Sequence, residues 1–133
     1  MISASFSILV SGSPSKTQAH LSAIRFLQAA VKLGHSITNV FFYQDAVSIA
    51  NRFICLPEDE LQLTERWVEL AKTHQFELQI CIAAANRRGV INEEEARLNG
   101  KQQDSLQPGF AIVGLGQLAS VLSSKSNRFI HFR

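Results

Sequence analysis

Cysteine is scarce in this chain, with two in 133 residues, and so are proline, with three, and methionine, tryptophan and tyrosine, with one each. Two cysteines cannot build the disulfide framework on which small secreted domains rely. They also fall short of a zinc site, which needs more ligands at closer spacing, and no metal is expected. An excess of one charge is missing too: thirteen Lys and Arg face eleven Asp and Glu, a net of +2. That balance is too mild for the clustered basic stripe of a nucleic-acid binder, so no direct nucleic-acid contact is expected. No apolar run approaches the ~18–20 residues that cross a bilayer. The opening Met1-Ile2-Ser3-Ala4-Ser5-Phe6 has no basic stretch ahead of its apolar one, so export is not expected either. What remains is a cytoplasmic protein in which 46% hydrophobic residues suffice to fill the core of one domain over residues 1–133.

Short β-rich runs alternate with helical patterns along the chain, the order of a parallel sheet wrapped by helices. The first strand is predicted over Phe6 to Val10, closed by the turn cluster Ser11-Gly12-Ser13-Pro14-Ser15. A helix follows from Lys16 or Thr17 to Leu33, with Leu21, Ile24, Leu27 and Val31 on one face and Gly34 as its cap. The second strand covers Ser36 to Phe42 or Tyr43 and leads into a short helical stretch through Asn51. Pro57 marks Phe53 to Pro57 as a connector, and Glu58 to Glu60 suit the start of a helix running to His74. A third strand, Glu77 to Ile82, gives way to an Ala-rich segment. Beyond it a helix is predicted over Asn92 to Asn99 with Asn92 as cap, and a strand over Phe110 to Val113. A helix over Gln117 to Ser123 and a polar link precede a last strand, Arg128 to Phe132. Five strands in this order predict a three-layer α/β/α sandwich with a mostly parallel sheet and right-handed crossovers.

In such sheets the working groups gather at the carboxyl ends of the strands. That rule selects Cys81, near the end of the third strand, where helix N–H groups and a helix dipole would favour the thiolate. The competing reading is a small buried hydrophobe, the usual state of a free cysteine. Cys55, with no basic neighbour in sequence, is expected to pack. Phosphate-binding glycine patterns are absent: Ser11 to Gln18 has one glycine, and Gly114-Leu115-Gly116 is only part of a fingerprint. Cys81 and Arg87 have a phosphatase-like spacing, but Ile82 to Asn86 holds no glycine to wrap a phosphate. The four histidines, at 20, 35, 74 and 131, are too scattered for a metal, and each is expected to be a surface or partly buried polar residue. Trp67 is expected in the core.

Three stretches together resemble the DsrE-like sulfur-relay family, which includes the subunits of the TusBCD complex. They are Val40-Phe41-Phe42-Tyr43-Gln44-Asp45-Ala46-Val47 with Ala50-Asn51, Ile80-Cys81-Ile82-Ala83-Ala84-Ala85-Asn86-Arg87-Arg88-Gly89-Val90, and Gly109-Phe110 with Gly114 to Ala119. The likeness runs nearly the full length, and the Cys81 block is its most specific part. It implies a sulfurtransferase subunit that takes a persulfide sulfur on Cys81 from a TusA-like donor. The subunit would pass that sulfur to a TusE-like acceptor for 2-thiolation of the tRNA wobble uridine. It also implies a heterohexamer with TusB- and TusC-like subunits and no cofactor beyond the transient persulfide. Ser13, Thr17, Tyr43 and Asp45, on neighbouring loop ends, are then expected to line the approach to Cys81, with loop capping as their plainer role. The alternatives are a DsrE-type carrier in bacterial sulfur oxidation, a non-catalytic subunit of the same hexamer, and a flavodoxin-like small-ligand binder.

Overall fold

The computed structural model describes residues 2–124 and 127–133. Five strands, β1 (Ser5–Val10), β2 (Ser36–Phe42), β3 (Glu77–Cys81), β4 (Phe110–Val113) and β5 (Asn127–Phe132), form one sheet in the order β4-β3-β2-β1-β5. Every neighbouring pair is parallel, so the sheet is wholly and not merely mostly parallel. Helices α1 (Ala19–Lys32), α2 (Leu63–His74), α3 (Ile82–Arg87), α4 (Glu93–Leu98) and α5 (Leu115–Leu122) connect the strands, with a 3-10 turn at Gln44–Ala50 after β2. From β1 to β4 each crossover steps the same way along the sheet, so right-handed connections put α1 and α2 on one face. The return from β4 to β5 puts α5 on the other.

Side-chain alternation assigns the faces. Phe6, Ile8 and Val10 of β1 look toward α1 and α2 together with Phe42 of β2, and aromatic contacts tie this layer. Phe6 meets Phe26 edge-on with ring centres 5.1 Å apart, and Phe42 meets Trp67 edge-on at 5.2 Å. Burying these side chains is the main term that holds the helices down. On the opposite face runs a buried polar ladder. Ser7 Oγ donates to Asn39 Oδ1 at 2.5 Å, and Asn39 Nδ2 donates to Gln79 Oε1 at 2.7 Å. Asn127 Nδ2 donates to Ser7 Oγ, so the chain of bonds crosses β5, β1, β2 and β3. Sliding any of these strands by one residue would leave a buried amide unpaired.

Several expectations shift. The first helix begins at Ala19 rather than Lys16 or Thr17, because Thr17 bonds back to the Ser13 carbonyl through both its N–H (3.1 Å) and its Oγ1 (2.8 Å). That hydroxyl offers the backbone a turn in place of a helix. The third strand stops at Cys81, with α3 starting at once, and α5 opens at Leu115 with Gly114 as its cap. Asn92 caps α4 as expected, its Oδ1 accepting from the Glu95 N–H at 2.9 Å. Trp67 is fully buried as expected, but His20 is fully buried as well, beyond the surface or partly buried place expected of it. Cys55 is exposed instead of packed, because the connector around Pro57 runs over the surface, where loops can solvate their backbone. Of the polar link before the last strand, Lys125 and Ser126 lie outside the described residues.

Candidate functional site

Cys81 is the last residue of β3, level with Val113 of β4, and stands as the cap residue of α3. Its side chain is 1% exposed and belongs to the hydrophobic core. The expected N–H cradle is not made: the thiol accepts no hydrogen bond from the first turn of α3, and that helix has only six residues. A dipole summed over so few peptides is weak. By alternation Cys81 shares its sheet face with Gln79 rather than with Ile80, so it points away from the α1–α2 layer.

The neighbouring loop ends are arranged unequally around this thiol. Phe42 is level with Ile80, so Tyr43 follows at the height of Cys81 on the adjacent strand. Tyr43 is half-buried, its N–H donates to the Val10 carbonyl at 2.9 Å, and it opens the 3-10 turn. Asp45 is exposed and reaches the helix that follows Cys81: Arg88 Nε donates to Asp45 Oδ1 at 3.1 Å. The same guanidinium donates through Nη1 to the Ala84 carbonyl at 3.0 Å, which clamps it across the end of α3. Between Tyr43 and Asp45, Gln44 holds a φ of 52°, a left-handed conformation that costs energy in a residue other than glycine.

Ser13 and Thr17 lie one strand farther off, after β1, and are occupied with each other. The Ser13 carbonyl accepts both Thr17 bonds, and Ser13 Oγ lies 3.3 Å from Ser15 Oγ. Among the described residues, none of these four side chains bonds to Cys81. The structure therefore groups Tyr43 and Asp45 with the Cys81–α3 unit and leaves Ser13 and Thr17 as capping groups of their own loop.

Two features escaped the sequence. Arg88 is the residue that joins α3 to the 3-10 turn, a direction that spacing leaves open. Asn86, on α3, carries a buried Oδ1 with no hydrogen-bond partner. Such an orphan acceptor is uncommon, and nothing in an Ala-rich run announces it. Beyond this region, among the described residues no three His, Cys, Asp or Glu side chains gather as a metal site, and no helix is long and apolar enough to cross a membrane.

The molecule is thus a parallel three-layer α/β/α domain in which a free cysteine closes an interior strand. The chain belongs to the DsrE/DsrF-like family, whose pattern it matches over residues 4–132. It is 42% identical over 127 residues to sulfurtransferase TusD of Serratia proteamaculans, covering 96% of this chain and 98% of that one. It is 39% identical over 127 residues to DsrE of Allochromatium vinosum, covering 96% and 97%. The fold matches the crystal structure of the ychN protein from E. coli with a TM-score of 0.69 at 18% identity, over 96% of this chain and 99% of that one.

Proposed function

We propose that the protein is a sulfurtransferase subunit of a cytoplasmic sulfur relay and that Cys81 is its sulfur-carrying residue. The observation that supports this reading is the place of Cys81 at the end of β3 directly before α3, in a chain alike over 96% of its length to a sulfurtransferase TusD. In the forward step the Cys81 thiolate attacks the outer sulfur of a persulfide on a TusA-like donor. The donor's S–S bond breaks, its cysteine leaves as thiolate, and Cys81 carries the persulfide. A TusE-like acceptor cysteine then attacks that outer sulfur, and Cys81 leaves as thiolate. Through these two transfers the travelling sulfur stays at the sulfane level, so they consume no electron carrier and call for no cofactor; its reduction belongs to the downstream enzyme whose thiol pair supplies two electrons as the sulfur is placed on the uridine. TusB- and TusC-like subunits complete a heterohexamer, and the sulfur ends as the 2-thio group of the tRNA wobble uridine.

Burial of Cys81 sets a condition on this chemistry. A side chain 1% exposed cannot meet a donor's sulfur, so partner docking has to open the end of β3. Ser13, Thr17, Tyr43 and Asp45 would line that approach once it opens, Tyr43 and Asp45 most directly. The same burial favours a second reading, a non-catalytic subunit in which Cys81 only packs. Loading the protein with a persulfide donor, in the presence of its partner subunits, and weighing it intact separates the two. The carrier gains one sulfur that is lost in Cys81→Ser and kept in Cys55→Ser; a gain that survives Cys81→Ser overturns the assignment. The other pathway is that of a DsrE-type carrier serving sulfur oxidation, and the chain is also similar to a sulfurtransferase DsrE. Thiolated wobble uridine measured in a deletion strain decides, since unchanged levels refute the tRNA route.

A further inference from the structure

The connector between the 3-10 turn and α2 is unusually apolar for a surface segment. Phe53, Ile54, Leu56 and Leu61 are 50%, 40%, 42% and 53% exposed, although solvent offers such side chains nothing. Ile54, Leu56 and Leu61 form one side of a groove of about 470 Å³. Leu21 of α1, Ile49 of the 3-10 turn and Leu63 of α2 complete its apolar lining. This volume falls in the range of real binding clefts.

The groove is held in shape by the connector's own bonds. Asn51 Oδ1 accepts from the Phe53 N–H at 2.9 Å, and Gln62 Nε2 donates to the carbonyls of Pro57 (3.1 Å) and Glu60 (3.2 Å). Thr64 Oγ1 donates to the Ile49 carbonyl at 2.7 Å, joining α2 to the floor. A preformed apolar groove saves its occupant the cost of ordering the protein.

Charge identifies what would sit there. Glu60 and Glu65 line the groove, and Glu58 and Asp59 flank it in the same exposed stretch. The one basic lining residue, Arg52, is committed elsewhere: its Nη2 donates to Asp104 Oδ1 at 3.0 Å, and Nε and Nη2 both donate to the Asp104 carbonyl. The rim is thus acidic around an apolar floor. We propose that this groove is a docking site for a partner protein's apolar segment that carries Lys or Arg side chains. Apolar side chains pack against Ile49, Leu56 and Leu61, and the cations pair with Glu60 and Glu65 at the groove's edge, where complementary charge sets specificity and association rate.

Nothing in this proposal requires Cys81, so either reading can fail alone. Three synthetic peptides serve as probes on the full chain, read by amide chemical shifts: one of Leu and Lys, one of Leu and Glu, and one of Ser and Lys. The Leu/Lys peptide is expected to shift Ile49, Leu56 and Leu61 and to bind about tenfold or more tighter than either of the others. Leu56→Ser with Leu61→Ser, both at exposed positions, should weaken it by about the same factor, and Glu60→Lys with Glu65→Lys should transfer the preference to the Leu/Glu peptide. Equal binding of the Leu/Lys and Leu/Glu peptides, equal binding of the Ser/Lys peptide, or shifts confined to α5 would overturn the proposal. So would the same shifts appearing on concentration without peptide, which would make the occupant a second copy of this chain.

Discussion

His20 Nε2 lies 3.1 Å from the Gly12 carbonyl, and His20 Nδ1 lies 3.1 Å from the indole N–H of Trp67. The carbonyl can only accept and the indole can only donate, so Nε2 carries the proton and Nδ1 is bare. Protonating Nδ1 would set it against the Trp67 N–H inside the core, where the ring also stacks on Phe42. Burial accordingly pushes the His20 pKa down to about 4, against a smaller upward pull from the Gly12 carbonyl. The unfolded chain takes up this proton near 6.5 and the folded chain only near 4. Stability contributed by the neutral ring is therefore complete above that window and lost as the pH falls through it, by about 3 kcal/mol at most. Urea unfolding between pH 7 and pH 4 should show this slope in the wild type and a shallower one in His20→Gln. His131 is also held low, by burial and by Arg133, but it stays in both proteins and cancels in the comparison.

At the scale of elements, the polar ladder and the loop after β1 carry more of the fold than their composition suggests. Asn39→Leu would remove an inner link and leave the Ser7 hydroxyl without its acceptor and Gln79 Oε1 without its donor, at a cost of about 2–4 kcal/mol. Gln79→Leu, at the ladder's end, breaks only one of its bonds and should cost less, and thermal unfolding of the two variants tests the ranking. Gly12 is fixed by space: a Cβ there would lie 2.5 Å from Thr17 Oγ1 and 2.7 Å from the backbone of Arg133. Gly12→Ala is expected to lower stability by about 1–3 kcal/mol through overpacking, measured by the same melt. Hydrophobic runs made the strands legible, and β4 falls on its expected residues because Phe110 to Val113 has turn residues on both sides. Helix starts were less legible, since the Thr17 hydroxyl and the Gly114 cap decide them through bonds between loop atoms. For the candidate site, the strand-end rule selected Cys81 with Ser13, Thr17, Tyr43 and Asp45, and of the four approach residues only Tyr43 and Asp45 lie beside the Cys81–α3 unit. The Arg88 clamp and the Asn86 orphan depend on where two loops meet in space, which no local pattern encodes.

At the scale of the whole molecule the two cysteines are placed oppositely, with Cys55 on an exposed connector and Cys81 shut in the core. Burial should make them differ in rate toward any water-borne reagent, because Cys81 reacts only in the fraction of molecules that open. Directly after Cys81 comes α3, tied to the 3-10 turn by the Arg88–Asp45 pair. That pair is surface-exposed and worth little to global stability. Because it anchors the segment that follows Cys81, its expected effect is on local opening at that end of the sheet. Iodoacetamide followed by peptide mass analysis should therefore label Cys55 first and Cys81 slowly in the chain alone. Asp45→Asn should quicken Cys81 several-fold, by about the 0.5–1 kcal/mol such a pair supplies, without moving the melting temperature by more than a few degrees. The charge-exchanged pair Asp45→Arg with Arg88→Asp should restore slow labelling, a rescue that simple loss of packing would not give. Adding the partner subunits and a persulfide donor should raise the Cys81 rate far more than Asp45→Asn does, if docking is what opens the site. A Cys81 that stays unlabelled in the assembled complex would leave it a core residue and move the sulfur chemistry to another subunit.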